Sequence, residues 1–281
     1  MKTRKRRRSQ KFREHLRALT LMDNNFMNAA LSDNIPCVEE MLRVILGRND
    51  LVVKSVETQK MLQGFERSVC LDVYAEDSNG IRYNIEIQNA DDGADPKRAR
   101  FHTGMIDVHS LEKGQDFSEL PECYVIFITR NDVLGLGRAI YTIHKYIDDV
   151  IKPFHDGAHT IYINCSAEND GSEIWKLIHD LNCPNAEEMY FPMLAERVGF
   201  LKFTEEGESE PMDNYFEEWK NRAVKRAEKR AEKRGEQRAR KEEKESVARN
   251  FLMMGKFTLE DIAKGTGLTL EAIQRLAETH S

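Results

Sequence analysis

The densest chemistry in this 281-residue chain lies in residues 69–88, VCLDVYAEDSNGIRYNIEIQ. Ser78-Asn79-Gly80 has the composition of a three-residue hairpin loop closed by a left-handed Gly and a bulge. A ladder folded about that loop sets Asp77 opposite Ile81, then Glu76 opposite Arg82, Val73 opposite Ile85, Asp72 opposite Glu86 and Cys70 opposite Gln88. The alternation agrees with this register. Leu71, Val73 and Ala75 share one face with Ile85 and Ile87, and Asp72, Glu86 and Gln88 share the other. A slip of one residue would set Asp72 against apolar Ile87. Opposed side chains start about 4.5–5.5 Å apart at Cβ, so two carboxylates placed this way repel. A shared proton relieves that repulsion. So does a divalent cation, and hard oxygen donors from carboxylates and a backbone carbonyl suit Mg²⁺ or Mn²⁺. The hairpin alone is equally compatible with a wet sheet face on which both acids are simply solvated.

The flanking pattern supplies the elements that would hold such a pair. Residues 36–47 read as a helix: Pro36 suits the first turn, Val38, Met41, Leu42 and Ile45 recur at helical spacing, and Gly47 is a stop. Residues 51–57, 69–76 and 81–88 read as strands. Asp95-Pro96 opens a helix to about Leu111 that carries Lys97, Arg98 and Arg100. The unbroken apolar run CYVIFIT, 123–129, has the character of a central strand buried on both faces. Short strands follow at 139–144 and 159–164, and helices at 172–182 and 186–203. Helix, three strands, helix, strand is an α/β (α+β) sheet domain, and no linker composition divides it.

Charge is distributed unevenly. Residues 1–17 hold nine Lys/Arg and one Glu, and residues 219–249 hold thirteen Lys/Arg and six Glu. Between them, residues 18–218 hold 17 basic against 37 acidic residues, which makes an acidic body with basic arms and a net charge of −6. That is not the uniform basic footprint of a simple nucleic-acid binder. The expected domains are a basic N-terminal arm (1–18), a sheet domain (19–203), a charged helical spacer (204–249) and a helix-turn-helix-like unit (250–281). The arm is expected as a solvated tail. The spacer lacks the apolar a and d positions of a coiled coil. In the last segment Thr258 and Asp261 cap one helix, Gly265-Thr266-Gly267 turn the chain, and Thr269 caps a second helix with Ala272, Ile273 and Leu276. That second helix offers only Gln274 and Arg275 as base readers, so docking to DNA and docking to a protein partner both remain open. Met253 and Met254 are expected in its core.

Other chemistries are poorly represented. Five scattered cysteines form no C-x-x-C pair, which argues against structural zinc or a disulfide framework and for a reduced, cytoplasmic protein. No apolar run reaches the roughly 18 residues of a membrane span. There is no G-x-S-x-G, no H-E-x-x-H and no phosphate-cradling Gly loop, and GLGRA at 135–139 is too short for a dinucleotide fingerprint. Tyr74 and Tyr83 beside the hairpin read as packing residues.

The D-x13-E-x-Q arrangement, after a Glu-bearing helix and before a basic one, resembles the PD-(D/E)XK nuclease superfamily. It looks most like the recombination-promoting nucleases also described as transposases. The similarity runs from LTLMDNNFMNAALSDN through SVCLDVYAEDSNGIRYNIEIQNAD, KRARFH and LPECYVIFIT to DGAHTIYIN, most of residues 19–200. It implies a restriction-endonuclease-like αβββαβ core and a Mg²⁺- or Mn²⁺-dependent endodeoxyribonuclease acting on DNA without a covalent intermediate. By this resemblance Asp72 and Glu86 would bind the metal, with the Ile87 carbonyl completing the protein's ligands. Gln88 stands where many members have Lys. Glu39, whose helical angle flanks the apolar stripe while that of Glu40 points away, would be an accessory acid. Arg98, Arg100 and His102 would face the scissile phosphate. Cutting both strands needs two active sites, so a homodimer is expected. The alternatives are a catalytically weak DNA-binding or assembly protein and a protein adaptor.

Overall fold

Six strands form one mixed sheet in a computed structural model of the chain that describes residues 10–89, 91–204, 244, 246–254 and 256–278. In chain order the first unit carries α1 (Gln10–Ala18), α2 (Asn24–Leu31), α3 (Ile35–Leu46), β1 (Val53–Leu62), β2 (Val69–Asp77) and β3 (Arg82–Gln88). A 3-10 turn at Asp91–Ala94 leads to α4 (Pro96–Val108) and β4 (Cys123–Thr129). Then follow β5 (Ile140–Ile143), β6 (Tyr146–Ile147), β7 (Lys152–Pro153), β8 (Ala158–Asn164), α5 (Glu173–Asn182) and α6 (Pro192–Phe203). The sheet order is β1-β2-β3-β4-β8-β5, and β6 with β7 makes a separate two-stranded ribbon. β1, β2 and β3 run antiparallel, α4 then carries the chain to β4 parallel to β3, and β8 lies parallel to β4. α3-β1-β2-β3-α4-β4 is the αβββαβ order of a restriction-endonuclease-like fold, as the family resemblance implied.

Local chemistry explains the boundaries. The Asn34 side chain accepts the Cys37 N–H at the start of α3, and Gly47 ends that helix at φ 64°. Asp95 caps α4 ahead of Pro96. β4 is the central strand, with Val125, Ile126, Phe127 and Ile128 wholly buried. A strand with parallel neighbours on both sides and covered faces needs that composition. Leu71, Ala99, Met105, Ile106, Val125, Phe127 and Tyr162 form one apolar cluster with Tyr74 between the sheet and α4. This corrects the expected grouping of Leu71 with Val73 and Ala75, and the change of side falls at Asp72.

The N-terminal expectation is also corrected in part. Residues 1–9 lie outside the described residues, but Gln10–Ala18 is a helix whose Phe12 and Leu16 are fully buried. Lys202 of α6 holds that segment from beneath, donating to the carbonyls of Arg17 (3.2 Å), Leu19 (2.5 Å) and Pro184 (2.6 Å).

A second compact unit spans Glu217–Ser281. Of the expected spacer at 204–249, residues 205–243 and 245 lie outside the described residues. Residues 246–254 are helical, followed by α7 (Leu259–Thr266) and α8 (Leu270–Glu278). Thr258 and Asp261 form the capping box, and Gly267 ends α7 at φ 64°. Ala248, Ile262 and Ile273 are the buried centre, with Phe251, Leu252, Leu268 and Leu276 against it. A boundary at 249/250 therefore cuts through a helix that the unit needs. Met253 and Met254 are 72% and 60% exposed, not core, because that helix turns Ala248, Phe251 and Leu252 inward instead. Among the described residues, no helix is long and apolar enough to cross a membrane.

Candidate active site

The hairpin closes as its turn chemistry requires. Gly80 sits at φ 79°, the Asp77 N–H donates to the Ile81 carbonyl (3.1 Å), and the buried Asp77 carboxylate accepts the N–H groups of Asn79 and Ile81. The Tyr83 hydroxyl donates to the same carboxylate at 3.0 Å. Pairing then runs Glu76 to Arg82, Ala75 to Tyr83, Tyr74 to Asn84 and Val73 to Ile85, in the register expected.

Regular pairing stops one step later, at the acidic residues. Glu86 Oε1 accepts the backbone N–H of Asp72 at 3.2 Å, and Asp72 Oδ2 accepts the backbone N–H of Ile87 at 3.0 Å. The Asp72 carboxylate thus takes the Ile87 N–H that the Leu71 carbonyl would accept in a continued ladder, and the Asp72 N–H, which a regular strand would turn toward β1, is turned toward Glu86 instead. The two acids are brought together in the gap between β2 and β3. In a strand the N–H and C=O of one residue point to the same side. Since the Ile87 N–H points at Asp72, its carbonyl is aimed into the same gap. The Gln88 carbonyl points the other way and accepts the Arg130 N–H at 3.0 Å.

Glu86 is fully buried, and α4 supplies its counter-charge. Arg98 Nη2 lies 2.9 Å from Oε2, and His102 Nδ1 lies 3.4 Å from Oε1. Arg98 and His102 are four residues apart and therefore share a helix face. Arg98 Nε also donates to His102 Nε2 at 3.3 Å, and its Nη1 to the Gly93 carbonyl at 2.8 Å. A guanidinium can only donate. His102 Nε2 must then be the acceptor, and the ring proton sits on Nδ1, facing Glu86. The Asn84 amide nitrogen lies 3.0 Å from the same Nδ1, and its Oδ1 is buried without a hydrogen-bond partner. Among the described residues Asp72 forms no ion pair. Burial first, and then the charge of Glu86, push its carboxyl up to about 6, against the lowering effect of the Ile87 N–H, Gln59 and Arg98.

Two neighbours were not legible as site residues. Gln59 in β1 has φ 55°, and its Nε2 donates to Asp72 Oδ1 at 3.2 Å. The Cys70 thiol donates to Gln59 Oε1 at 3.4 Å. Asn84 is the other, buried beneath His102. Gln88 follows Glu86 on β3, and its amide oxygen rests over Gly93, where an added Cβ would lie 2.0 Å away.

The remaining expected residues are placed differently. Glu39 accepts the Val53 N–H at 2.9 Å and pairs with Arg43 at 2.7 Å, tying α3 to the start of β1. Val53 pairs with Asp77, five residues from Asp72, which is about 16 Å at the rise of a strand. Glu39 is therefore a structural clasp at the far end of β2, not a neighbour of the acidic pair. Glu40 does not point into solvent either, since it accepts the N–H groups of Met193 and Leu194 at the start of α6. Arg98 and His102 meet Glu86 rather than an open surface, and His102 is 3% exposed. Arg100 is exposed on α4. The GLGRA loop wraps its own anion: the N–H groups of Leu134, Gly135 and Gly137 and the Tyr141 hydroxyl all donate to the Asp132 carboxylate.

No curated protein and no solved structure matches the chain. The family model of the PD-(D/E)XK nuclease family transposases matches residues 40–250. That span covers three quarters of the chain and every strand of the sheet, including the β2–β3 gap with its two acids, and the protein belongs to the PD-(D/E)XK nuclease family transposases.

Proposed function

We propose that the protein is a divalent-metal-dependent endonuclease that hydrolyses DNA phosphodiester bonds in the β2–β3 gap. The observation that carries this reading is the interrupted ladder, which brings the Asp72 and Glu86 carboxylates into the gap between β2 and β3, where the Ile87 carbonyl would join them as a third ligand. Two crowded carboxylates, one held protonated up to about pH 6, are a donor set short of positive charge. Among the described residues no three His, Cys, Asp or Glu side chains form a closed metal cage. An open set of two carboxylates and a carbonyl suits Mg²⁺ or Mn²⁺, whose other positions are filled by water and substrate oxygen. A bound cation would supply a lowered water pKa and polarise the phosphoryl oxygen.

The chain's own groups then have separate tasks. Asp72 and Glu86 fix the cation from two strands. Arg98 balances Glu86 before substrate arrives, and His102 packs beside the Glu86 carboxylate, with Nδ1 3.4 Å from Oε1. Gln88, where many superfamily members carry Lys, can orient a water by hydrogen bonding but brings no charge. Arg100 and Lys97 are exposed cations of α4, and Arg100 would be available to a phosphate. Two copies would be needed to cut both strands. The helical unit at the C-terminus would deliver the domain to DNA or to a partner.

The test is nicking of supercoiled plasmid with Mg²⁺ or Mn²⁺, with an EDTA control. Asp72→Ala abolishes nicking and leaves thermal stability unchanged or higher, because it removes a repelled carboxylate. Salt-sensitive DNA binding without any metal-dependent nicking by the wild type would refute the enzyme and favour a DNA-binding or assembly role.

A further inference from the structure

Gln59 sits in the middle of β1 with φ 55°, a conformation that costs a residue with a Cβ and that strands do not otherwise use. Nothing in the apolar core demands it, since Gln59 is exposed. The break is local. β1 pairs with β2 as Lys60 to Leu71 on one side and Thr58 to Val73 on the other, and only the Gln59–Asp72 step between them is missing. That missing step is opposite the very residue at which β2 parts from β3. Strain held in place by its surroundings at such a point marks a task that regular backbone would not perform.

The side chain shows what the strain achieves. The Cys70 thiol donates to Gln59 Oε1, which fixes the amide orientation, so Nε2 is the atom presented to Asp72 Oδ1. Asp72 Oδ2 is meanwhile held by the Ile87 N–H. A carboxylate turns about its Cβ–Cγ bond in a broad, shallow well. Here one oxygen is held from β1 and the other from β3, and that rotation is lost. We propose that Gln59 is a positioning residue that pre-sets the Asp72 carboxylate for the divalent cation, and that its left-handed backbone is retained for this purpose. The inference rests on the proposed metal role of Asp72 and adds a residue to it.

Gln59→Gly separates this from a structural role, because glycine accepts the left-handed backbone without a side chain. The metal-free protein should melt at the wild-type temperature or a few degrees higher. Mn²⁺ titrated calorimetrically should bind about five- to tenfold more weakly, the net worth of one ordinary solvent-exposed hydrogen bond. Gln59→Asn, which tolerates the same backbone but is one methylene shorter, should show the same split. Unchanged Mn²⁺ affinity in both variants, or a lowered melting temperature for Gln59→Gly, overturns the proposal. Asp72→Ala run alongside isolates the premise. If it binds Mn²⁺ as wild type does, the metal reading of Asp72 fails. If it loses binding while both Gln59 variants keep it, only the role of Gln59 fails.

Discussion

Replacing Arg98 by Met tests the electrostatics of the site independently of any cleavage assay. Glu86 is fully buried and Arg98 Nη2 is its nearest cation at 2.9 Å, whereas the Arg98 side chain is 38% exposed. Met is unbranched and of similar reach, so the change removes the charge, its hydrogen bonds and the guanidinium that lies 5.9 Å above the Phe127 ring while keeping an apolar stem. Stripping one partner from a fully buried pair costs roughly 3–5 kcal/mol. Solvent around the exposed guanidinium screens part of that, leaving about 2–3 kcal/mol. For a domain of this size that is a fall of about 5–10 °C in the melting temperature of the metal-free protein. A divalent cation bound by Glu86 and Asp72 replaces the missing charge. Mg²⁺ at a hundredfold excess over its dissociation constant returns about 2.7 kcal/mol. Differential scanning fluorimetry should therefore show Arg98→Met melting well below wild type in EDTA, and a larger Mg²⁺-induced rise in the variant than in the wild type. Equal melting temperatures in EDTA would mean that Arg98 does not carry the charge balance of Glu86. A Mg²⁺ rise no larger than that of wild type would mean that the cation does not reach Glu86.

Two further outcomes follow from the same cluster. Asp72 titrates near 6 in the folded chain, above the ordinary carboxylate value near 4, so the folded state takes up its proton first as pH falls. Its contribution favours the metal-free fold most fully below about pH 4 and is lost as pH rises through about 6, while Mn²⁺ affinity changes in the opposite direction. Paired melting and calorimetric series from pH 4.5 to 8 should show that crossing, which would be absent in Asp72→Asn. Gly93→Ala places a Cβ 2.0 Å from the amide oxygen of Gln88, the movable end of a side chain, so folding should suffer by less than about 1 kcal/mol. If Gln88 orients the attacking water, nicking should drop at least tenfold in this variant with the melting temperature nearly unchanged. Wild-type nicking would remove Gln88 from the mechanism.

How far these features were legible depends on whether a local rule or a distant contact sets them. The hairpin register from Asp77 to Val73 follows from a Gly in a turn and a period of two, and both are local. So do the start of α3 at Asn34 and Pro36, the central strand CYVIFIT and the capping box at Thr258. The two acids were legible because they lie on that hairpin. Glu39 was misplaced because helical angle tells which way a side chain leaves the helix, not what lies there, and what lies there is the Val53 N–H. α1 was hidden because its two anchors, Phe12 and Leu16, are four apart within a stretch of basic residues, and their burial depends on α6, nearly two hundred residues on. Gln59 was out of reach because alternation ends the first strand near residue 57, and the 59–72 juxtaposition exists only once β1 and β2 are paired.

These departures from local rules gather around one point rather than scattering over the fold. The left-handed Gln59, the end of the β2–β3 ladder, the change of side at Asp72, the raised Asp72 carboxyl and the buried Glu86 charge all lie within one or two residues of the acidic pair or touch it. Each costs stability on its own. A chain selected for stability alone would continue the ladder past Val73–Ile85, replace Glu86 by an apolar residue against Phe127 and let β1 run straight. Instead the regular half of the hairpin, fastened by Asp77 and Tyr83, carries an irregular half in which the two acids accept backbone N–H groups from each other's strands. Sites that act on a ligand are where native chains tolerate such conflict. On that ground the gap between β2 and β3 is a far stronger candidate for chemistry than the Asp132 loop, whose donors are already satisfied by its own side chain.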